Sequence, residues 1–330
     1  MESTSTALAP LVTIAMPCLN EAGFIEDCLR SVQAQTYPRD RAEIVVADGG
    51  STDGTLAILN RLAHEDPRIR LIDNPERVQA AGLNRILAEA RGDVIVRMDV
   101  HCQYAPDYVE KCIGVLERTG ADNVGGAPRC CGGSPFQRAV CAALRSRLGA
   151  GGAPQWDPSK EGLVHSVPFG ALKREALRVL GGFDPRALTN EDAELNQRII
   201  AGGGRVYLSR EIVFSYHPRS TLWALARQYL HYGIGRARTL LKHRELLNPR
   251  PALPFAGVCG AVALLALAPQ AAVVLAALYA AATLGEAIRV GRREGLHVVL
   301  LVWTVFPTMH AAHGTGFGVG LARYAFRPDW

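Results

Sequence analysis

The sequence predicts an α/β protein, a mostly parallel sheet with flanking helices, followed by apolar helices suited to a membrane. Two observations carry this expectation. Short apolar runs alternate with helical patterns over the first hundred residues, and the composition changes abruptly after Pro251. Regular alternation of strand and helix argues for right-handed βαβ units. Uncharged runs of roughly 20 residues are what a bilayer core requires.

The elements follow in order. "LVTIAMP", Leu11 to Pro17, is a short apolar run closed by proline, and "GFIEDCLRSVQAQ" has apolar residues at helical spacing. "AEIVVADGG" reads as a second buried strand ending in Asp48 and glycines. Next come the helix "TLAILNRLAHE", the strand "IRLIDN", the helix "VQAAGLNRILAEA" and the strand "DVIVRMD". Ligands in such sheets sit at the carboxyl ends of the strands, so "PCLNE", "DGGSTDGT" and "DVH" are where chemistry is expected. No dinucleotide-binding glycine fingerprint follows the first strand, and "GIGRAR" at Gly233 follows no strand.

Beyond Pro251 the pattern changes. Leu253 to Gly285 contains no charged residue, and Leu296 to Ala312 is uncharged apart from its histidines. Pro269 in the middle of the first stretch marks a tight helical hairpin. Between the stretches lie Arg289, Arg292 and Arg293, which the positive-inside rule assigns to the cytoplasmic face. The chain is therefore expected in the cytoplasmic membrane, multi-pass, with the preceding domain on the cytoplasmic side. The expected organisation is a flexible N-terminus (1–10), an α/β domain (11–250) and a membrane region (251–330) with two to three apolar helices. Within that domain, 11–125 and 126–250 form two halves.

Composition excludes some classes. A formal charge of +5 with scattered basic residues gives no case for a nucleic-acid partner. The eight cysteines form no CxxC pair and no zinc spacing, and read as reduced thiols.

"PCLNE", "ADGGSTDGT", "MDVH" and "NEDAELNQR", in this order and at these separations, resemble glycosyltransferase family 2, inverting enzymes with a nucleotide-sugar-binding domain of the GT-A fold. More narrowly, "VRMDVHCQY", "DNVGG", "VPFGA" and "GGFD" look like the bacterial exopolysaccharide branch typified by the succinoglycan biosynthesis glucosyltransferase. The resemblance implies transfer of one sugar from a nucleotide-sugar donor, UDP-linked, to a lipid-linked saccharide acceptor, with 11–125 as the nucleotide-sugar half of the catalytic domain and 126–250 as its acceptor half. It puts Asp48 against the uracil ring, Pro17, Asn20 and Glu21 around the nucleoside, and Asp53 at a second acidic position of that loop. "STDGT" around Asp53 is equally a good turn.

A nucleotide diphosphate calls for Mn²⁺ or Mg²⁺ held by oxygen ligands. Asp99 supplies a carboxylate at a strand end. His101 stands where the family carries a second aspartate, and strand alternation would point it to the same side as Asp99, as a second ligand or a donor to phosphate. Asp192 matches the family's general base, with Glu191 beside it positioning the acceptor or tuning Asp192. Carboxylates in a first helical turn are also favoured by the helix dipole alone. The Gln-x-x-Arg-Trp motif of processive relatives is incomplete at Gln228, which speaks against a polymerising synthase. Arg236 and Arg238 are candidates for a clamp on the leaving diphosphate, or for a basic membrane-facing surface. Two alternatives stay open: a polyprenyl-phosphate sugar transferase, and a non-catalytic nucleotide-sugar-binding subunit of a polysaccharide assembly.

Overall fold

The protein is described by a computed structural model, covering residues 9–245 and 249–330. The expected flexible N-terminus lies outside the described residues except for Ala9 and Pro10. The chain divides into two compact units. The first comprises residues up to Ala127, Lys160–Pro185 and Glu191–Phe214; the second comprises Pro128–Ser159, Arg186–Asn190 and Ser215–Trp330.

The first unit begins with the predicted alternation. β1 (Val12–Cys18) leads to α1 (Ile25–Gln33), β2 (Ala42–Asp48), α2 (Thr55–Glu65), β3 (Ile69–Asp73), α3 (Gln79–Glu89) and β4 (Val94–Arg97). Every residue of β1 and β4 is buried, as expected for strands covered on both faces. In α1 the buried residues Ile25, Cys28, Leu29 and Val32 fall on one helical stripe. The chain continues through β5 (Cys102–Tyr104), α4 (Tyr108–Thr119) and β6 (Asn123–Gly125).

β7 (Arg129–Cys130), α5 (Pro135–Leu144) and α6 (Arg147–Ala150) belong to the second unit. The first unit resumes with β8 (Gly162–Leu163), β9 (Ala171–Lys173), α7 (Arg174–Val179), α8 (Glu191–Ala201) and β10 (Val206–Leu208). Its sheet has the order β3-β2-β1-β4-β9-β6-β10-β8. Strands β1 to β4 pair in parallel, as do β6 and β10, and β9 runs antiparallel to both β4 and β6, so the sheet is mixed with a parallel first half. β9 comes from "VPFGALKRE", whose reversed direction brings Phe169 and Gly170 to the carboxyl end of β4; the Gly170 carbonyl accepts from the Arg97 N–H (3.0 Å). The core joins Ala15, Val45 and Ile95 to Val167, Phe183, Leu195 and Ile199.

In the second unit β11 (Phe214–Tyr216) pairs in parallel with β7 through Ser215 and Tyr216. α9 (Leu222–His243) follows, then α10 (Leu253–Leu267), α11 (Pro269–Gly291) and α12 (Leu296–Phe326). The predicted break falls at Ala268, with Pro269 opening α11, and α10 packs against α11. The last three helices are long and apolar enough to cross a membrane. The first of these stretches, Arg250–Leu267, has 18 residues with α10 and the turn before it and spans about 27 Å at ~1.5 Å per residue, close to a bilayer core of about 30 Å.

These helices differ in what covers them. α10 has no buried residue and exposes Leu253, Val262, Leu265 and Leu267. α12 instead buries Val298, Val302, Val305, Phe306 and Met309 in a core with α5 residues and Leu225 of α9. The sequence break expected at residue 250 is therefore not where compactness divides the chain. Segments from the expected acceptor half complete the core around α12 because that helix needs apolar partners.

Glycines allow α9 and α12 to touch at backbone distance. A methyl group on Gly316 would lie 2.1 Å from the Leu230 carbonyl oxygen, and one on Gly233 would lie 2.2 Å from that of His313. "GIGRAR" is thus helix-packing sequence inside α9. Gly316→Ala is expected to force the helices apart at a cost of about 1–3 kcal/mol, the usual range for overpacking. The check is a thermal melt of the detergent-solubilised full chain; a melting temperature equal to wild type would remove this contact from the account.

Candidate active site

Because β1, β2 and β4 are parallel neighbours, their carboxyl ends open on one edge of the sheet. Pro17 is buried within β1 opposite Ala47 and contributes shape to the strand end. Asn20 takes a left-handed φ of 56°. Its N–H donates to Ser51 Oγ (2.8 Å) and its Oδ1 accepts from the Thr52 N–H (2.8 Å), which lashes the first loop to the second. The Glu21 N–H donates to Thr55 Oγ1 (2.7 Å).

Asp48 is buried and organises its own loop. Its oxygens accept from the N–H groups of Gly50 (2.9 Å) and Ser51 (3.0 Å) and from the Ser51 hydroxyl (2.6 Å). A carboxylate has about four acceptor sites, so capacity remains for a base or ribose donor. Asp53 is exposed and accepts from the Thr55 N–H and hydroxyl and from the Ala22 N–H. The Thr55 hydroxyl, followed by the Ala22 N–H, holds its carboxyl below the usual value. These are the bonds of the turn foreseen for "STDGT", and they give Asp53 a structural part at this edge.

The end of β4 is more unusual. Asp99 receives a bidentate guanidinium from Arg97: Nε reaches Oδ1 at 2.8 Å and Nη2 reaches Oδ2 at 2.9 Å. The Gln79 amide, in the first residue of α3, also donates to Oδ2 (2.9 Å). The Asp99 carbonyl accepts from the Tyr104 hydroxyl (3.1 Å), so backbone and side chain are both fixed.

The strand alternation expected to align His101 with Asp99 is interrupted by a turn at Val100 and His101. The chain turns instead of continuing as a strand, with the Cys102 N–H donating to the Asp99 carbonyl (3.2 Å), and a turn cancels strand alternation. His101 Nε2 lies 2.9 Å from Glu21 Oε1, with its ring edge-on to Phe24 (5.0 Å between centroids). Its ring is engaged with the first loop through these two contacts.

α8 brings its first turn to the same place. Arg97 Nη2 lies 2.8 Å from Glu191 Oε1, so one guanidinium spans carboxylates from β4 and α8. Burial alone would pull the Arg97 guanidinium down, but Asp99 and Glu191 outweigh it and hold its pKa well above the ordinary arginine value. Burial pushes the Glu191 carboxyl up, against the pull of Arg97 and with the repulsion of Asp192. Asp192 is half-buried, and its Oδ1 accepts from the Ala193 N–H (2.7 Å).

The rest of the motif anchors the helix. Arg198, paired with buried Glu194, donates to the carbonyls of Leu180 (2.7 Å) and Gly182 (2.8 Å), and Asn196 accepts from Asn123 (2.6 Å). "GGFD" is held by Asn84, which bonds both the N–H and the carbonyl of Phe183.

Two residues named for a diphosphate clamp lie on α9, in the second unit. Arg238 is buried, pairs with Asp329 (2.6 Å) and lies over the Tyr324 ring. That arrangement ties down the C-terminal tail and corrects its reading as a mobile clamp. Arg236 is half-buried on the same helix.

Sequence reasoning missed Arg97, Gln79 and Phe169. The available signal was the charge of Arg97 inside the apolar run "VIVRM". Phe169 carries a left-handed φ of 60° and sets its ring 5.6 Å from the Arg97 Cζ. Left-handed residues are costly outside glycine and gather at functional sites; Asn20 and Phe169 flank this edge, and Asn190 (φ 60°) directly precedes α8.

The donor set can be tested for a divalent cation. Three carboxylates, Asp99, Glu191 and Asp192, stand against one guanidinium, a surplus of negative charge that a cation would balance. Asp99 keeps acceptor capacity beyond its bonds to Arg97 and Gln79. Among the described residues no three of His, Cys, Asp and Glu gather as a metal-binding group, so there is no closed protein cage. This fits an ion that takes a carboxylate from the protein and its other ligands from phosphate and water, as Mg²⁺ commonly does. All eight cysteines are free thiols.

Comparison with known proteins gives a consistent picture. The family model for glycosyl transferase family 2 matches residues 13–180 and ends before Glu191. The succinoglycan biosynthesis protein ExoA of Rhizobium meliloti (strain 1021) is 39% identical over 309 residues, covering 92% of this chain and 93% of its own. A dolichyl N-acetyl-alpha-D-glucosaminyl phosphate glucuronosyltransferase of Methanococcus voltae, acting with a diacetamido sugar, is 25% identical over 94% of this chain and 97% of its own. Among solved structures, the mannosyltransferase PcManGT of Pyrobaculum calidifontis, in complex with GDP-Man and Mn²⁺, aligns with a TM-score of 0.63 at 24% identity, over 98% of this chain and 89% of that one. S. aureus TarS 1-349 in complex with UDP aligns at 0.52 with 14% identity, over 96% and 91%. Both structural likenesses speak to the GT-A fold. With the strand-end loops, the family match over half the chain and the ExoA relation over nearly all of it, this chain belongs to glycosyl transferase family 2 and is a glycosyltransferase similar to those of exopolysaccharide biosynthesis.

Proposed function

We propose that the chain is a metal-dependent inverting transferase that moves one sugar from a UDP-linked donor to a lipid-linked saccharide acceptor at a membrane surface. The observation that carries this reading is the meeting of Asp99 and Glu191 on Arg97, which draws the end of β4 and the first turn of α8 to one point. The donor class is supported by the loops of Asn20, Glu21 and Asp48, and by relatives of the same fold solved with UDP or GDP-Man. A lipid-linked saccharide is supported by the Methanococcus relative, whose name describes a dolichyl phosphate sugar.

In this reading Asp192 takes the proton of the acceptor hydroxyl while that oxygen attacks the anomeric carbon opposite the leaving diphosphate. Inversion then needs one base and no covalent intermediate. Glu191 is buried and tied to Arg97, whereas half-exposed Asp192 can reach an acceptor. Asp99 would hold Mn²⁺ or Mg²⁺, which when bound neutralises charge on the leaving diphosphate. Attachment to the cytoplasmic membrane is assigned to α10 and α11, whose exposed apolar side chains suit lipid, with Arg289, Arg292 and Arg293 on the cytoplasmic side. Confining enzyme and lipid acceptor to one surface raises their effective concentration.

A screen of radiolabelled UDP- and GDP-sugars with membrane lipid extract tests the function. Label entering the lipid fraction from a UDP-sugar is expected; transfer from GDP-sugars alone would reassign the donor. Labelling of bare polyprenyl phosphate, with none of polyprenyl-diphosphate sugars, would reassign the acceptor.

Asp99→Asn is expected to weaken Mn²⁺-dependent UDP binding about 10- to 100-fold, the scale of a lost charged interaction of ~1.5–3 kcal/mol. Calorimetric titration reads this directly, and an unchanged affinity would sink the metal assignment. Asp192→Asn keeps the shape while removing the proton acceptor. Transfer is expected to fall on the order of 100-fold or more, with UDP affinity near wild type. A residue serving only the helix dipole would instead cost about 1 kcal/mol of stability or less, so rate, affinity and melting temperature measured together separate the two.

A further inference from the structure

β4 is apolar at Val94, Ile95 and Val96 and ends in an arginine whose side chain is only 4% exposed. Arginine does not escape burial by losing its proton. An apolar residue would pack there without the desolvation penalty that buried ion clusters carry, so the charge calls for a reason beyond stability. The guanidinium joins Asp99 through Nε and Nη2 and Glu191 through Nη2. Its Nη1 is buried with no hydrogen-bond partner among the described residues. Buried donors in folded proteins are nearly always satisfied, and a spare one at the strand-end edge marks a cluster that a bound ligand completes. The backbone is held as firmly, through the Gly170 carbonyl, and the Phe169 ring covers the guanidinium.

We propose that Arg97 is a positioning residue that couples the donor side of the site to the acceptor side. One guanidinium sets both the orientation of Asp99 toward the cation and diphosphate and the orientation of Glu191 beside the base. The inference rests on the nucleotide-sugar reading of the site. It implies that a change at Glu191 is felt in nucleotide binding, although Glu191 lies on the acceptor side, and that the message passes through Arg97. Charge alone does not suffice, because an ammonium cannot bond two carboxylates in the planar, forked geometry of a guanidinium.

The test uses the detergent-solubilised full chain, UDP with Mn²⁺ as probe, calorimetry for affinity and a thermal melt for folding. The variants are Arg97→Lys, Arg97→Met, Glu191→Gln and the double variant Arg97→Lys/Glu191→Gln. Arg97→Lys keeps a cation among the carboxylates and is expected to stay folded, yet to bind UDP with Mn²⁺ about tenfold more weakly or worse. Glu191→Gln alone is expected to shift UDP affinity about threefold or more, and the shift is expected to vanish in the Arg97→Lys background, within the range measured for coupled neighbours. A purely structural arginine would lower the melting temperature of its variants but produce no such coupling.

UDP affinity of Arg97→Lys within about twofold of wild type, or the same Glu191→Gln effect in both backgrounds, overturns the proposal. Failure of both Arg97 variants to fold also overturns it, since the residue is then structural. Wild-type protein that binds neither UDP nor GDP with Mn²⁺ would instead defeat the nucleotide-sugar reading itself.

Discussion

The buried guanidinium of Arg97 is the constraint around which the site is arranged. It balances carboxylates from two elements that enter the sheet edge from different directions, Asp99 after β4 and Glu191 at the start of α8. Removing a partner from such a cluster leaves a buried charge uncompensated, which is far costlier than losing a surface ion pair. The neighbours reflect that cost. Gln79 adds a bond to Asp99, Tyr104 holds its carbonyl, and Phe169 accepts a strained backbone to cover the guanidinium.

A second feature is the division of labour along α8. Glu191 and Asp192 occupy the first turn, where the helix dipole favours negative charge. Glu194, Asn196 and Arg198 face the protein, and their bonds to Leu180, Gly182 and Asn123 fix the angle at which the first turn arrives. Arg198, bonded to Glu194 and to both carbonyls, carries most of this registration, while Asn123 Oδ1 is buried with no partner among the described residues. The motif therefore serves chemistry at one end and registration along the rest.

The second unit follows a different rule. Its core is a helical one in which α12 is covered by α5 and α9, with glycines letting α9 and α12 meet at backbone distance. α10 shows the opposite character, apolar side chains facing outward without protein cover, and α11 shares it at Val273, Val274 and Leu278 while giving Ala287 to the core. Exposed apolar surface of this extent marks an interaction site for a partner or a lipid phase. Length and composition match a membrane, and the short α10 joined to α11 through Ala268 and Pro269 matches a hairpin.

Much was legible in the sequence because its signals are local. Short apolar runs and period-3.6 patterns marked β1 to β4 and the helices between them, the loss of charge after Pro251 marked the apolar helices, and the strand-end rule pointed to Asp48 and Asp99. The turn signal of "STDGT" correctly gave Asp53 its local bonds. What tertiary structure decided are the relations that no local pattern encodes. β9 inserts antiparallel because "VPFGALKRE" returns to the sheet in the reverse direction, which sets Phe169 beside Arg97. His101 meets Glu21 of the first loop where the chain turns after Asp99, and Arg238 is paired with Asp329, far away in the sequence. Spacing in sequence assigns a side chain to a face only while the backbone stays regular, and the site lies where the strands end and that regularity stops.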